Sequence, residues 1–385
     1  MTATAPPRTT RWTVETVTDS AALWALEAEW EDLYARAVGA TPFQRHAWIH
    51  SWWAQYGSAG RLRVVLVRRD DRLVAAAPLR LVRRGPVRVL TALGGDESDY
   101  HDVLLDTDCA RQAAEKLAHA LLRTPGWDVL DLVEVRAGAG AELLAAAWPA
   151  ARHWRGNGAL CQELRYGSVG EFVADLPKHT AKTMKRKLRK IEAAPITSRV
   201  VPAADVPAAV GDLLALHAGQ WAGRSVSAEH LRPRFRRHLT GALTRMVERD
   251  QATLTEYRCQ GEVVVVDLEL AGPEFMGTYL AGFNPSLREH VDIAVLMLTR
   301  AFGEVERRGL PGLSLLRGDE PYKLHWRPTA ARNRRIMLGR TGRALGYARA
   351  VQLRGLLADA GRDRYPKLRQ ARNTLRSQLG QLRRP

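Results

Sequence analysis

Residues 252–316 read ATLTEYRCQGEVVVVDLELAGPEFMGTYLAGFNPSLREHVDIAVLMLTRAFGEVERRGLPGLSLL, and their order decides the fold. Ala252 to Tyr257, Val263 to Leu270 and Phe275 to Gly282 are β-branched or apolar spans of strand length, bounded by Gly, Pro or polar residues. From Val291 to about Arg308 the period becomes helical, and Leu313 to Leu316 is again a strand. Three antiparallel strands, a long helix and a further strand are therefore expected. The strand ending at Gly282 feeds into that helix, and unpaired backbone N–H groups belong where a strand stops and a helix begins.

Working outward, helices are expected around Val206 to Trp221 and His230 to Glu248. Before them comes a basic helix with Ala181, Met184, Leu188 and Ile191 on one face, and a strand near Leu160 to Tyr166. The first half has its own set. Leu23, Leu26, Trp30 and Leu33 predict a helix from Ala21 to about Val38, and Pro42 opens a second one carrying Trp48, Trp52 and Trp53. Strands follow at Leu62 to Val67, Leu73 to Val82 and Val87 to Leu93, the first two joined by Arg69-Asp70-Asp71-Arg72. A strand near Val103, a helix from Ala110 to Leu122, a strand from Val129 to Val133 and a helix from Ala141 to Ala147 close this half. The fold class is α/β (α+β), two lobes of mixed, mainly antiparallel sheets flanked by helices. The expected division is a flexible segment 1–20, an N-terminal lobe 21–156, a C-terminal lobe 157–339 and a basic tail 340–385, the tail read as two helices divided near Gly361 and Pro366.

The 385 residues are 46% hydrophobic, enough for two packed domains. The N-terminus has no apolar leader and no stretch approaches the roughly 18 apolar residues of a spanning helix, so cytoplasmic residence without a membrane span is expected. Cys109, Cys161 and Cys259 are widely spaced and read as ordinary thiols. The net charge of +17 is concentrated. Lys178 to Lys190 holds seven Lys/Arg and no acid, and Arg340 to Pro385 holds twelve against Asp359 and Asp363. Such surfaces suit a polyanion, although solvated helix faces would have the same composition.

Several local signals are weaker than they look. Gly138-x-Gly140 lacks the third glycine of a dinucleotide fingerprint, where Leu143 stands, and reads as a turn. His46 and His50 have metal-ligand spacing but no third ligand, so packing is expected and no metal. No G-x-S-x-G elbow or Walker loop occurs. Two clusters point further. Ser98-Asp99-Tyr100-His101-Asp102 sits where a loop enters a strand, and a histidine flanked by carboxylates suits a general base, against the alternative of a capped polar turn. Arg317-Gly318-Asp319-Glu320-Pro321-Tyr322-Lys323-Leu324-His325-Trp326 gathers ionisable and aromatic groups that must be solvated, paired or used.

Trp30 to Leu33, Pro42-Phe43-Gln44 with Trp48 and Trp52-Trp53, and Ser98-Asp99-Tyr100 with Asp102 resemble the N-terminal half of CelD-like acetyltransferases. These belong to the GNAT superfamily and are related to Fem-type peptidyltransferases. In the second half the resemblance rests on Lys185 to Lys190, His217 to Trp221, Tyr279-Leu280-Ala281-Gly282-Phe283-Asn284-Pro285, and Gly318-Asp319-Glu320 with Tyr322-Lys323 and Trp326. It runs from about Leu23 to Trp326. The chain departs from the family at Ser314, where an Asp is usual, and at Arg288-Glu289-His290-Val291-Asp292, where the donor loop is commonly Ser-Pro-Gly.

The resemblance implies tandem GNAT-like lobes, the second holding an acyl-donor site, and direct attack of an amine on acyl-CoA or acyl-phosphopantetheine without a metal. Tyr279, Leu280, Ala281 and Gly282 would hold the pantetheine arm, and Arg288 and His290 its phosphate. Asp99, His101 or Asp102 would serve as base and Tyr322 as proton donor to the thiolate, with Arg317, Glu320, Lys323 and Trp221 on the acceptor. The acceptor is an amine of a small molecule or peptide, and the basic surfaces suit an acidic acyl-carrier protein. The rivals are a Fem-like enzyme taking an aminoacyl group from tRNA and a non-catalytic binding protein of the same fold.

Overall fold

The computed structural model describes residues 10–220, 228–318 and 321–364. They divide into two compact units: unit 1 runs to Gly158 and includes Asn333–Tyr347, and unit 2 comprises Ala159–Arg332 and the chain from Ala348.

Unit 1 begins with β1 (Trp12–Val17), α1 (Ser20–Ala25), α2 (Glu27–Ala35), α3 (His46–Tyr56), β2 (Leu62–Arg69), β3 (Arg72–Arg84) and β4 (Val87–Ala92). It continues with β5 (Leu104–Leu105), α4 (Ala110–Arg123), β6 (Val129–Val135), α5 (Gly140–Ala146) and the start of β7 (His153–Leu164). The turn between β2 and β3 has both central residues left-handed, Asp70 at φ 50 and Asp71 at φ 67, which is the twist that matches two antiparallel strands. The first expected helix is instead two, broken at Leu26. The segment 1–20, expected to be flexible, contains β1, which pairs antiparallel with β2 from Trp12–Arg69 to Val17–Val64.

Unit 2 holds α6 (Val169–Asp175), α7 (Lys178–Glu192), β8 (Ile196–Val200), α8 (Val206–Gln220), α9 (Pro233–Glu248), β9 (Ala252–Cys259), β10 (Glu262–Ala271) and β11 (Met276–Phe283). After these come α10 (Ile293–Arg307), β12 (Leu313–Arg317), α11 (Pro321–Leu324), β13 (Thr329–Gly339) and α12 (Arg343–Arg364). Its sheet order is β7-β12-β11-β10-β9-β8, with only the β11–β12 pair parallel among the registers described. Val295, Leu298, Ala301, Phe302 and Val305 of α10 bury one helical face against Met276 and Leu313. The apolar stripe of α7 packs into the same core, so its lysines face outward.

In unit 1 the order is β1-β2-β3-β4-β6-β13, with β5 on β3. Residues Asn333–Gly339, assigned from sequence to the C-terminal lobe, belong here because β13 pairs antiparallel with β6 from Arg334–Val135 to Gly339–Val129. Arg335 adds two donors to the buried Asp131 carboxylate. Of the expected tail, α12 runs through Gly361 to Arg364, and Pro366 with the second expected helix lies outside the described residues.

Candidate active site

Strands β11 and β12 pair only at Met276–Leu313 and Gly277–Ser314, and then part. Irregularities in both strands cause this. In β11, Leu280 lies opposite Leu268 and Thr278 opposite Glu269, so Tyr279 is an extra residue that re-aims the strand. In β12, the register to β7 shifts between Ser314 and Arg317, Leu316 is left-handed at φ 55, and its N–H donates to Ser314 Oγ at 3.1 Å. Thr278 to Ala281, beside the gap, are half-buried, whereas Gly282 and Phe283 are buried.

Which backbone groups face the gap follows from the antiparallel pairing with β10. Asn284 N–H donates to Val264 O at 2.8 Å, and bonded residues alternate along such a ladder. Gly282 and Leu280 are therefore turned to β10, and Ala281 to the gap. There the Ala281 carbonyl accepts Nδ1–H of His217 at 3.0 Å. Helix α8 can come this close because residue 282 has no side chain: a Cβ would lie 2.3 Å from Leu213 O and 2.7 Å from the His217 nitrogen. Of the four residues expected to hold a donor arm, Ala281 thus has the N–H aimed at the opening, and Leu280 and Gly282 do not.

The expected phosphate position at the N-terminus of α10 is already occupied by a side chain. Asp292 caps this helix, accepting from Val295 N at 3.2 Å, and its other oxygen takes Lys187 Nζ at 2.6 Å. A carboxylate stands where an anion was expected, a placement that stabilises the helix end and repels phosphate. Arg288 and His290 are both exposed beside it, with the Arg288 guanidinium 5.1 Å from the Phe283 ring.

The acceptor residues proposed from sequence fare unevenly. Lys323 is buried and its Nζ donates to the Arg317 carbonyl at 2.7 Å, tying down the end of β12. Trp326 is buried against Phe172, at 6.3 Å between rings. Trp221 and Glu320 lie outside the described residues, as does the side chain of Tyr322.

Asp99, His101 and Asp102 belong to unit 1, and the donor segment to unit 2. Asp102 is buried, and its two oxygens accept from Val103 N at 2.7 Å, Gly140 N at 3.0 Å and Ala141 N at 2.7 Å. Burial pushes its carboxyl up to about 7 against the pull of these donors. It joins the Ser98–Asp102 loop to the start of α5. Asp102→Ala would leave those N–H groups unpaired and should cost about 2 kcal/mol, read as a lower urea midpoint. His101 donates Nδ1–H to Val133 O at 3.0 Å, and Asp99, half-buried, accepts from Asn333 Nδ2 through its carbonyl at 3.4 Å. Trp48 and Trp52 are core residues, as expected, with their indole N–H groups on Ser98 Oγ and Glu97. His46 bonds Leu23 O at 2.8 Å and stacks on His50.

Sequence reading missed two polar groups of unit 2. Asp267 and Glu269 are buried on β10, and among the described residues Asp267 Oδ2, both Glu269 oxygens and the buried Tyr257 hydroxyl have no hydrogen-bond partner. Burial, then the facing carboxyl, raises Glu269 well above the ordinary range; burial raises Asp267 to about 6. A proton held on Glu269 lets it donate to Asp267. Alternation along β10 was the available signal, since it puts two acids on one face of a central strand. The second group is His217 and His230, whose rings meet at 5.2 Å.

Residues 178–324 match the family model of the acetyltransferase (GNAT) domain. No curated protein matches the sequence. Solved structures of similar fold include FemX, at 9% identity and TM-score 0.59 over 80% of this chain and 95% of that one. The C-terminal domain of a lysylphosphatidylglycerol synthetase from Agrobacterium fabrum matches at 10% identity and TM-score 0.53, covering 87% of this chain and 95% of that one. L-PGS from Bacillus licheniformis matches at 9% identity and TM-score 0.52, covering 85% of this chain and 95% of that one. Residues 178–324 form a GNAT-fold, acyltransferase-like domain, and the chain is a transferase with the GNAT/Fem-type fold.

Proposed function

We propose that the chain moves an acyl group from a thioester, carried by acyl-CoA or an acyl-carrier protein, to an amine of a small molecule or peptide by direct attack. The observation that carries this reading is the parting of β11 and β12 inside a GNAT domain, with the Ala281 N–H facing the gap. An amine and a thioester already supply a nucleophile and a leaving group, so the protein has chiefly to align them and stabilise the oxyanion. The gap suits an extended pantetheine arm, with Tyr279 and Ala281 along one wall. Arg317 and Lys323 with Glu320 and Trp221 are the proposed acceptor side, Tyr322 the proposed proton donor, and Asp99, His101 or Asp102 a proposed base.

One observation favours an aminoacyl-tRNA donor instead. Asp292 disfavours a cofactor diphosphate at α10, while Lys178, Lys182, Lys185, Arg186, Arg189 and Lys190 of α7 are exposed in a row, suited to a nucleic-acid backbone. Among the described residues no helix is long and apolar enough to cross a membrane.

Titrating the full chain with acetyl-CoA, an acetylated carrier protein and an aminoacyl-tRNA separates these readings. A thioester donor should bind saturably, and free acetyl-CoA should lose no more than about twofold in affinity between low and moderate salt, because its few phosphates need only a local site. Tight binding of the tRNA alone, with log affinity falling linearly against log salt, would transfer the conclusion to the second donor. Truncation after Arg340, once a thermal melt shows that the shortened protein still folds, should weaken a macromolecular donor and spare acetyl-CoA. Binding of none of the three would refute acyl transfer.

A further inference from the structure

We propose that His230 and His217 form a proton relay at the β11–β12 opening, taking the proton that the acceptor amine loses as it attacks the acyl carbon. The inference rests on the acyl-transfer reading above and holds for a thioester or an aminoacyl ester.

The hydrogen bonds fix the direction of the relay. A carbonyl oxygen only accepts, so the His217 nitrogen 3.0 Å from Ala281 O is Nδ1–H. In the neutral ring His217 Nε2 is then an acceptor, and the group 3.3 Å from it, His230 Nδ1, must donate. His230 Nε2 is left as an unprotonated lone pair, with no hydrogen bond to it among the described residues. His217 is held by the last turn of α8, which Gly282 admits against β11, and the Ala281 carbonyl that anchors it faces the gap. The His230 ring is stacked on Phe235 at 4.6 Å, so its orientation is set from the α9 side.

The surroundings keep the pair neutral at rest. Burial, then His217, lowers His230 to about 4, with Glu229 opposing, and Glu229 is itself held by Arg234 through bonds of 2.6 Å. Burial lowers His217 also, and the Ala281 carbonyl opposes that shift. Proton acceptance at His230 Nε2 releases its Nδ1 proton across 3.3 Å to His217 Nε2, and the charge ends on a ring already bonded to a carbonyl. In the chemical step the amine lone pair forms the C–N bond, the C–S bond breaks with its electrons on sulfur, and the amine proton enters the relay. The proton then passes through solvent to the thiolate, which resets both rings. For an aminoacyl ester, the breaking bond is C–O and the oxygen is the final acceptor.

Two measurements on the full chain test this. Long-range proton–nitrogen NMR of histidine-labelled protein at neutral pH should show His230 Nε2 unprotonated and His217 protonated on Nδ1; a proton on His230 Nε2 would overturn the relay. Release of CoA thiol from acetyl-CoA, with butylamine as probe amine and water as acceptor if the amine is refused, should fall roughly 10²-fold in His230→Gln, at the lower end of general-base effects because the group is a weak base. Where the tRNA ester proves to be the donor, the deacylation of aminoacyl-tRNA is followed instead. His217→Gln, whose amide can still donate to Ala281 O and accept from His230, should lose a similar factor, which a merely structural pair would not. Donor affinity should stay unchanged in both variants. Donor binding with rates equal to wild type sinks the relay alone; absence of donor binding in the wild type sinks the acyl-transfer reading first.

Discussion

Replacing Gly282 with valine is expected to destabilise unit 2 by about 3–4 kcal/mol, more than ordinary overpacking, because the obstacle is backbone. The built Cβ would lie 2.3 Å from Leu213 O, 2.7 Å from His217 N and 2.9 Å from the Leu216 Cβ, and none of these is the movable end of a long side chain. Relief requires α8 to lift from β11. That displacement breaks the 3.0 Å bond from His217 to Ala281 O and disturbs the wall of the proposed donor channel. Urea unfolding should therefore show a lower midpoint for unit 2, and any protein that remains folded should have lost donor binding. Gly303→Ala is the control, since position 303 lies in α10 with open space around it and alanine favours helix. A Gly282→Val protein with wild-type stability would mean that α8 does not lie on β11 as described.

The second large effect concerns pH. Asp267 and Glu269 bind protons more tightly in the folded chain than in the unfolded one, so the folded state holds protons that unfolding releases. Their contribution is fully present below the ordinary carboxylate range near 4 and is lost as pH rises, toward about 6 for Asp267 and through the raised range of Glu269. Each proton that the folded state retains and the unfolded state has lost gives a slope of about 1.4 kcal/mol per pH unit. Arg300 opposes both shifts. Glu269→Gln keeps a donor toward Asp267 and removes the titration. It should flatten the fall and melt higher than wild type at pH 8, while matching it near pH 4. Parallel pH profiles for the two proteins would show that the pair carries no extra proton.

Much of the candidate site was legible as elements and little of it as contacts. Helical period placed α10, and strand patterning placed β9, β10 and β11, because each element buries one continuous face and local sequence records that face. Strand β8 escaped notice, since Ile196 to Val200 is short and almost wholly exposed. So did β13, whose partner β6 lies some two hundred residues away in the chain. The Ser98 to Asp102 cluster was visible as chemistry, but its surroundings were not. Asp102 turned out to accept three backbone N–H groups, two of them from residues 38 and 39 positions later.

What the sequence by itself determined is the order of elements, the mixed and mainly antiparallel α/β class, the location of the positive charge, and the strand-to-helix passage that marks the donor segment. All of these are properties of residues near one another in the chain, set by periodicity and turn chemistry. Only the tertiary structure decided that Tyr279 is an extra residue at which β11 leaves β12, and that Asp292 occupies the helix end expected for phosphate. It also decided that Gly282 admits α8 and so brings His217 to the Ala281 carbonyl, with His230 behind it. The cap of Asp292 on Val295 N is local, but its pairing with Lys187, the bulge at Tyr279 and the approach of α8 to Gly282 each depend on the distance between separate segments, and these exist only after the segments pack.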